Sequence, residues 1–290
     1  MLNQTDVNVI VNELSARRII GNADQIVNNR NGTTEGLVYT IWSDGEPRYV
    51  LKRERTDNLV VVENLLATYR DSALFPKLLY FAPDKTFIVY SYITGETHHN
   101  RGSKIDWLSL LVTELLNRYV IYQETDGWGR LEWPVHSWRE FNERSLEGAR
   151  ENIGSRLPAD NYETMKSLIE KISQVDESDG RYLLHGDMGV HNFVFHGNKL
   201  KGVIDPSPMA GPVLYDFTYA FCSSPDDLTV ETLFEAYALF RHEQVDRSRL
   251  IEEVVFQLYC RISICIQHHP HDLEGYLKAW NYWKALISKK

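Results

Sequence analysis

The sequence predicts an α+β chain of two lobes. A small N-terminal lobe of antiparallel strands with one main helix (1–93) is joined to a larger, mostly helical lobe (94–290). Three observations carry this expectation. Short runs rich in Val, Ile, Tyr and Trp, punctuated by Gly, Asn and Asp, fill the chain up to residue 93. Helical periodicity dominates after residue 94, and a single strand-like insert, 182–204, separates two sets of helices. With 43% apolar and 24% charged residues over 290 positions, the chain has the composition of a folded globular protein.

The elements follow in order. Residues 1–15 read as an amphipathic helix, with Val7, Ile10, Val11 and Leu14 at spacings of three and four. Strands are expected at 17–21, 25–30, 37–42 and 48–52, with Asp44-Gly45 as the best hairpin turn. A helix at 57–70 would line one face with Leu59, Val62, Leu66 and Tyr69, and strands are expected at 77–81 and 87–91. Further helices are expected at 104–123, 137–153, 159–174, 228–242, 247–267 and 272–287. A cleft between two such lobes is a natural ligand site.

Composition excludes several classes. Thirty-one Lys and Arg against 40 Asp and Glu give a formal charge of −9, the wrong sign for a general nucleic-acid binder. Three scattered cysteines (Cys222, Cys260, Cys265) form neither a disulfide framework nor a metal knuckle. No apolar run approaches the roughly 20 residues of a membrane span. The N-terminus is polar and acidic where a secretory signal would be basic and then apolar, so the expected address is the cytoplasm. His268, His269 and His271 with Cys265 do not complete a zinc set at a familiar spacing and read as a helix-ending turn.

The chemistry is concentrated in 183–220, LLHGDMGVHNFVFHGNKLKGVIDPSPMAGPVLYDFTYA. An apolar strand ends at Leu184, and His185-Gly186-Asp187 forms a loop. A second strand starts at Phe193, turns at 196–198, and returns to deliver Asp205. This hairpin would gather Asp187, Asn192 and Asp205 at one rim. Two carboxylates and an amide make a hard-oxygen set suited to Mg²⁺ together with substrate phosphates. Phosphoryl transfer also needs one carboxylate off the metal to orient a hydroxyl and accept its proton. His191 and His196 read as surface residues.

The run H-G-D-x-x-x-x-N, then I-D, then Y-D-x-x-x-A, resembles the aminoglycoside phosphotransferase family. That family has the protein-kinase-like fold and includes choline, homoserine and methylthioribose kinases. The resemblance implies Asp187 as catalytic base, Asn192 and Asp205 as Mg²⁺ ligands, and His185 and Asp216 as structural support for the catalytic loop. It implies a nucleotide clamp in the N-terminal lobe, built on Lys52 at a strand end with Glu63 on the following helix as its ion-pair partner. Val38 and Val50 would roof an adenine ring, Val194 and Ile204 would lie beneath it, and the hinge would be 90–93, with Tyr90 and Tyr92. The turn at 31–36 occupies the place of the phosphate-covering loop. One departure is Pro206-Ser207-Pro208 after Asp205, where many relatives carry Trp, Phe or Leu; proline removes a backbone donor and fixes φ.

The expected function is therefore transfer of a phosphoryl group from ATP or GTP, with Mg²⁺, to a hydroxyl of a small molecule. An aminoglycoside-type antibiotic or aminosugar comes first, with a metabolic kinase of choline, homoserine or sugar type as the alternative. A noncatalytic nucleotide-binding module is the other class. Ten residues between Asp205 and Asp216 leave no room for the activation segment of a protein kinase. The acid-rich stretch 221–253 would suit a cationic acceptor, with Asp226, Asp227 and Glu231 as the candidate contacts. No nucleic-acid or membrane partner is expected, and the chain would act as a monomer or homodimer.

Overall fold

The computed structural model describes residues 4–29, 37–173, 180–242 and 244–287. The N-terminal part contains α1 (Gln4–Ala16), β1 (Gln25–Asn28), β2 (Leu37–Ser43), β3 (Glu46–Arg53), α2 (Thr56–Thr68), β4 (Leu78–Phe81) and β5 (Ile88–Ser91). Its five strands form one antiparallel sheet in the order β1-β2-β3-β5-β4. Asp44 and Gly45, at φ 56° and 75°, form the two-residue turn between β2 and β3, the left-handed pair that a tight hairpin requires.

Strand alternation gives this sheet two different faces. On one face, Tyr39, Ile41, Leu51 and Val89 pack with Val7, Val11 and Leu14 of α1 and with Ile20 in a core of their own. The opposite face carries two cross-strand rows fixed by register, Val38–Lys52–Ile88 and Thr40–Val50–Tyr90. Ile88 and Tyr90 join Leu59, Val62, Leu65 and Leu66 of α2 in the larger core, which continues through the rest of the molecule. Residue 93 therefore marks a change of architecture without separating two hydrophobic cores.

The expected strand at 17–21 is instead the C-terminal closure of α1. Arg18 adopts φ 58°, and the amides of Arg17 and Ile19 donate to Glu13 and Leu14. Ile20 is buried there as a plug against the sheet, which explains an apolar run that is not a strand.

The remainder contains β6 (Glu96–Thr97), α3 (Lys104–Glu114), β7 (Gly129–Arg130), α4 (Trp138–Ile153), α5 (Ala159–Ile172), β8 (Tyr182–Leu184), β9 (Phe193–His196), β10 (Lys199–Val203) and β11 (Met209–Gly211). These are followed by α6 (Val213–Cys222), α7 (Val230–Tyr237), α8 (Arg247–His268) and α9 (Leu273–Ile287). Two small sheets, β10-β9-β6 and β7-β11-β8, place the ends of β8 and β10 at the site described below. The helix expected over 104–123 stops at Glu114, and a 3-10 turn at Leu116–Arg118 leads to an extended Tyr119. This break turns the Tyr119 hydroxyl inward to Asp216 and lets Ile121 bridge to Tyr182. Helix α7 is likewise shorter than the expected 228–242. Among the described residues, no helix is long and apolar enough to cross a membrane.

The packing of α1 on the sheet makes a stability prediction. Leu14→Ala is expected to lower unfolding free energy by about 2–4 kcal/mol, because it opens a cavity between helix and sheet. Urea denaturation reads this directly; a loss below about 0.5 kcal/mol would show that α1 contributes little to the N-terminal core.

Candidate active site

The turn after β8 is held from beneath by a buried carboxylate. Asp216, in the first turn of α6, is fully buried. Its Oδ2 accepts from the Tyr119 hydroxyl at 2.8 Å and the His185 amide at 2.9 Å, and its Oδ1 accepts from the Gly186 amide at 3.1 Å. Burial pushes its pKa up to about 7 against the pull of those donors. Gly186 has φ 78°, and a Cβ there would collide with the Ser207 carbonyl, so the turn requires glycine.

His185 is also fully buried, stacked on Phe75 with ring centroids 5.9 Å apart. Its Nε2 lies 3.1 Å from the Ile204 carbonyl and its Nδ1 accepts from the Asp187 amide at 3.2 Å. That pair of contacts fits the neutral ring protonated on Nε2. Burial lowers its pKa to about 4, although the charge of Asp187 works in the opposite direction.

Asp187 keeps a side chain one quarter exposed. Oδ1 accepts from the Tyr219 hydroxyl at 2.9 Å, Oδ2 accepts from Asn192 Nδ2 at 3.0 Å, and His191 Nε2 stands 3.5 Å from Oδ2. Burial opposes its ionisation, yet the contact with His191 and the fields of His185 and Arg130 prevail and hold the carboxyl well below its usual range. Asn192 ends a 3-10 turn (Val190–Asn192), and its carbonyl accepts from the Ile204 amide at 2.9 Å, fastening the loop to the strand that precedes Asp205. Asp205 sits at φ 54°, and its Oδ1 meets Lys52 Nζ at 2.6 Å.

Lys52, 4% exposed, also meets Glu54 Oε2 at 2.9 Å. Burial alone would favour the neutral amine, but Asp205, then Tyr90 and Glu54, draw its pKa above the ordinary lysine value. The expected pairing with Glu63 is absent. Glu63 is half-buried on α2 and makes no ion pair among the described residues, while Glu54, two positions beyond Lys52, stands beside the ammonium. Val38, Val50 and Tyr90 share the sheet face of Lys52, as the register requires. Val38 and Ile204 are partly exposed and Val194 is buried on β9, and none of the three belongs to either hydrophobic core. Along the expected hinge, the Ser91 and Tyr92 amides donate to the Lys77 and Arg48 carbonyls, so neither is available to a base. The turn at 31–36 lies outside the described residues.

Asn192 Oδ1 and Asp205 Oδ2 carry no hydrogen bond among the described residues, and as hard oxygen donors they fit a magnesium ion. No group of three or more His, Cys, Asp or Glu side chains among the described residues is placed to hold a metal.

Asp226, Asp227 and Glu231 are not drawn to Asp187. Asp226 pairs with Arg101 at 3.1 Å, Asp227 occupies a left-handed turn at φ 49°, and Glu231 is exposed at the start of α7. The groups around Asp187 that sequence reasoning missed are Tyr219, Arg130 and His191. Tyr219 follows Asp216 by three residues on one helix, a spacing that could have placed it on the same face. His191, expected at the surface, is turned inward to Asp187 with its Nδ1 buried and unpartnered.

The neutral state of His185 fixes a pH dependence. Its folded pKa lies below the unfolded value, so protons bind more readily to the unfolded chain as pH falls from about 6.5 to 4. Over that window the wild type is expected to lose about 3 kcal/mol more stability than His185→Gln. Urea denaturation at several pH values would show parallel curves for the two proteins if His185 were already protonated in the fold.

Against this geometry, the sequence from 27 to 250 matches the model of the phosphotransferase enzyme family APH. No curated protein sequence matches the chain at a significant level. A thermostable mutant of aminoglycoside phosphotransferase APH(4)-Ia superposes with a TM-score of 0.60 at 15% identity, covering 95% of this chain and 97% of that one. Its variant in ternary complex with ADP and hygromycin B gives 0.59 at 15% identity, with coverage of 96% and 98%. Choline kinase LicA from Streptococcus pneumoniae gives 0.59 at 13% identity, with coverage of 99% and 100%. At these identities the likeness is one of fold, the kinase-like α+β architecture. Together with the family match over most of its length, it establishes that the chain belongs to the APH phosphotransferase enzyme family.

Proposed function

We propose that this protein transfers the γ-phosphoryl group of ATP or GTP to a hydroxyl of a small molecule. The convergence of Lys52, Asp187, Asn192 and Asp205 from separate elements carries the reading. The nucleotide would lie between the sheet face of Val38, Val50 and Tyr90 and the hairpin residues Val194 and Ile204, with Lys52 directed at its phosphates. Tyr92 belongs to the connecting segment that would border the base. Asn192 and Asp205 would hold Mg²⁺, which supplies neutralisation of phosphate charge when bound.

Asp187 would receive the acceptor hydroxyl as a hydrogen-bond donor. As the acceptor oxygen bonds to the γ-phosphorus, the bond from that phosphorus to the bridging oxygen breaks and the nucleoside diphosphate leaves with it. The hydroxyl proton passes to Asp187. A carboxylate this acidic is a weak base, which suits a transition state in which the proton leaves late and orientation matters most. Tyr219 and Asn192, on the two oxygens of Asp187, fix the carboxylate plane. His185 and Asp216 hold the backbone of that turn and touch no reacting atom.

The resemblance put an aminosugar first; the acidic residues Asp226, Asp227 and Glu231 that would have supported a cationic acceptor lie on Arg101 and toward solvent, so we take the acceptor as a small-molecule alcohol. A noncatalytic module would have no use for a carboxylate oriented on both oxygens beside a second acid and a buried lysine. Acceptor-dependent nucleotide consumption over aminoglycosides, sugars and amino alcohols tests the reaction. Asp187→Asn is expected to lower kcat about 100-fold or more while nucleotide affinity stays near the wild-type value. Unchanged turnover in that variant would overturn the base assignment, and failure of the wild type to bind nucleotide would overturn the phosphotransferase reading.

A further inference from the structure

Between α4, α6 and α8 lies a cavity of about 290 Å³. Its walls include Arg130, Asn142, Tyr215, Tyr219, Gln257 and Ser263, and no carboxylate lines it. Its size is near the lower end of the roughly 300–1,000 Å³ of small-molecule sites, room for a compact metabolite rather than a multi-ring antibiotic. Two of its residues connect it to the reaction centre. Tyr219 presents its ring to the cavity and its hydroxyl to Asp187 Oδ1 at 2.9 Å. Arg130 lines the cavity and is close enough to Asp187 to favour its ionised state.

Arg130 has no carboxylate in direct contact among the described residues, although its charge acts on Asp187 and Asp216. Its hydrogen bond is from Nη1 to the Ser207 carbonyl at 2.9 Å, and it makes no ion pair among the described residues. A second such group stands behind Tyr219. Arg261 of α8 is 3% exposed, donates from Nε to the Tyr276 hydroxyl at 3.0 Å, and leaves Nη1 buried with no partner. It also makes no ion pair among the described residues, and its field reaches the Tyr219 hydroxyl. Burying the Arg261 guanidinium without a direct counter-charge is unfavourable, whereas Arg130 is part-buried and keeps access to a ligand. Two guanidiniums that make no direct ion pair among the described residues thus flank the residue that holds Asp187, and Arg130, bonded through Nη1 to a backbone carbonyl, keeps donors for an anionic ligand.

We propose that the acceptor carries an anionic group, a carboxylate or a phosphate, which seats on Arg130 in this cavity while its hydroxyl faces Asp187. The inference rests on the phosphotransferase reading and names its substrate class. Arg261 would deepen the positive potential without touching the ligand. Glu132, whose Oε2 is buried without a partner in the turn after β7, is the neighbouring acid that would favour a cation; neither it nor Asp187 is part of the cavity wall, and Tyr219 is the wall residue that reaches Asp187.

The test uses hydroxyl compounds graded in charge on similar skeletons: glucosamine, glucose, glucuronate and glucose 6-phosphate, with ethanolamine, glycerol, glycerate and glycerol 3-phosphate as a smaller series. Acceptor-dependent nucleotide consumption is measured beside calorimetric binding of each compound, so that an unproductive fit still registers. At least one anionic compound is expected to exceed its neutral and cationic counterparts by about 30-fold in kcat/KM or affinity. The carboxylate and phosphate arms then distinguish the two anions. Arg130→Gln is expected to raise KM or Kd for that compound about 30-fold with a smaller change in kcat, and Arg130→Lys to recover part of the loss. Preference for the cations, no anion bound better than its neutral counterpart, or an Arg130→Gln variant with unchanged affinity would each overturn the anionic assignment. Nucleotide binding in the same preparations separates that outcome from failure of the phosphotransferase reading, which would show as a wild type that binds no nucleotide.

Discussion

The ion pair between Lys52 and Asp205, 2.6 Å long, joins two parts of the chain separated by 153 positions. One partner is near the end of β3 in the five-stranded sheet and the other follows β10 of the hairpin. Neither position is comfortable alone. Lys52 is almost fully buried, and Asp205 holds a left-handed backbone conformation that costs free energy in a residue other than glycine. Glu54 shares the ammonium, so removal of Asp205 would still leave Lys52 one acidic neighbour. The contact sets the sheet face of Val38, Val50 and Tyr90 opposite the loop that bears Asp187. On the proposed reading, nucleotide phosphates and Mg²⁺ would take over these same charges.

The carboxylates divide by environment. Asp216 is sealed from solvent and occupied by the Tyr119 hydroxyl and two backbone amides, so it holds the turn in place. Asp187 and Asp205 remain partly exposed and retain capacity for a further ligand. Rigidity is thus concentrated beneath the turn, and open coordination is left above it, the arrangement that preorganised positioning requires. Tyr219 links this layer to the cavity beyond, which makes α6 both the brace of the turn and a wall of the proposed acceptor site.

Much of this was legible in the sequence, for identifiable reasons. The spacing of Asp187, Asn192 and Asp205 around a hairpin survives translation into space because short loops and a paired register leave few alternatives. The Asp44-Gly45 turn and the long amphipathic helices were readable for the same local reason. Features set by distant partners were not. The neighbour of Lys52 is Glu54 rather than Glu63: its ammonium is taken up by Asp205 and by the carboxylate two positions further along the chain. The run at 17–21 has strand composition but closes a helix, and 104–123 has helical composition but breaks to deliver Tyr119 to Asp216. Two- and three-residue strands such as β6, β7 and β11 are too short to show a period. The acidic count after residue 221 suggested a cationic acceptor, yet charge totals do not reveal which side chains face a cavity, and the wall beside Tyr219 carries Arg130.

The most direct measurement of the central claim is nucleotide affinity by calorimetry, with and without Mg²⁺, in the wild type and in Asp205→Asn. If Asp205 and Asn192 form the metal-bearing edge of a nucleotide site governed by Lys52, Mg²⁺ should tighten binding about tenfold or more in the wild type and have little effect in the variant. Equal Mg²⁺ dependence in the two proteins, or none in either, would contradict the account.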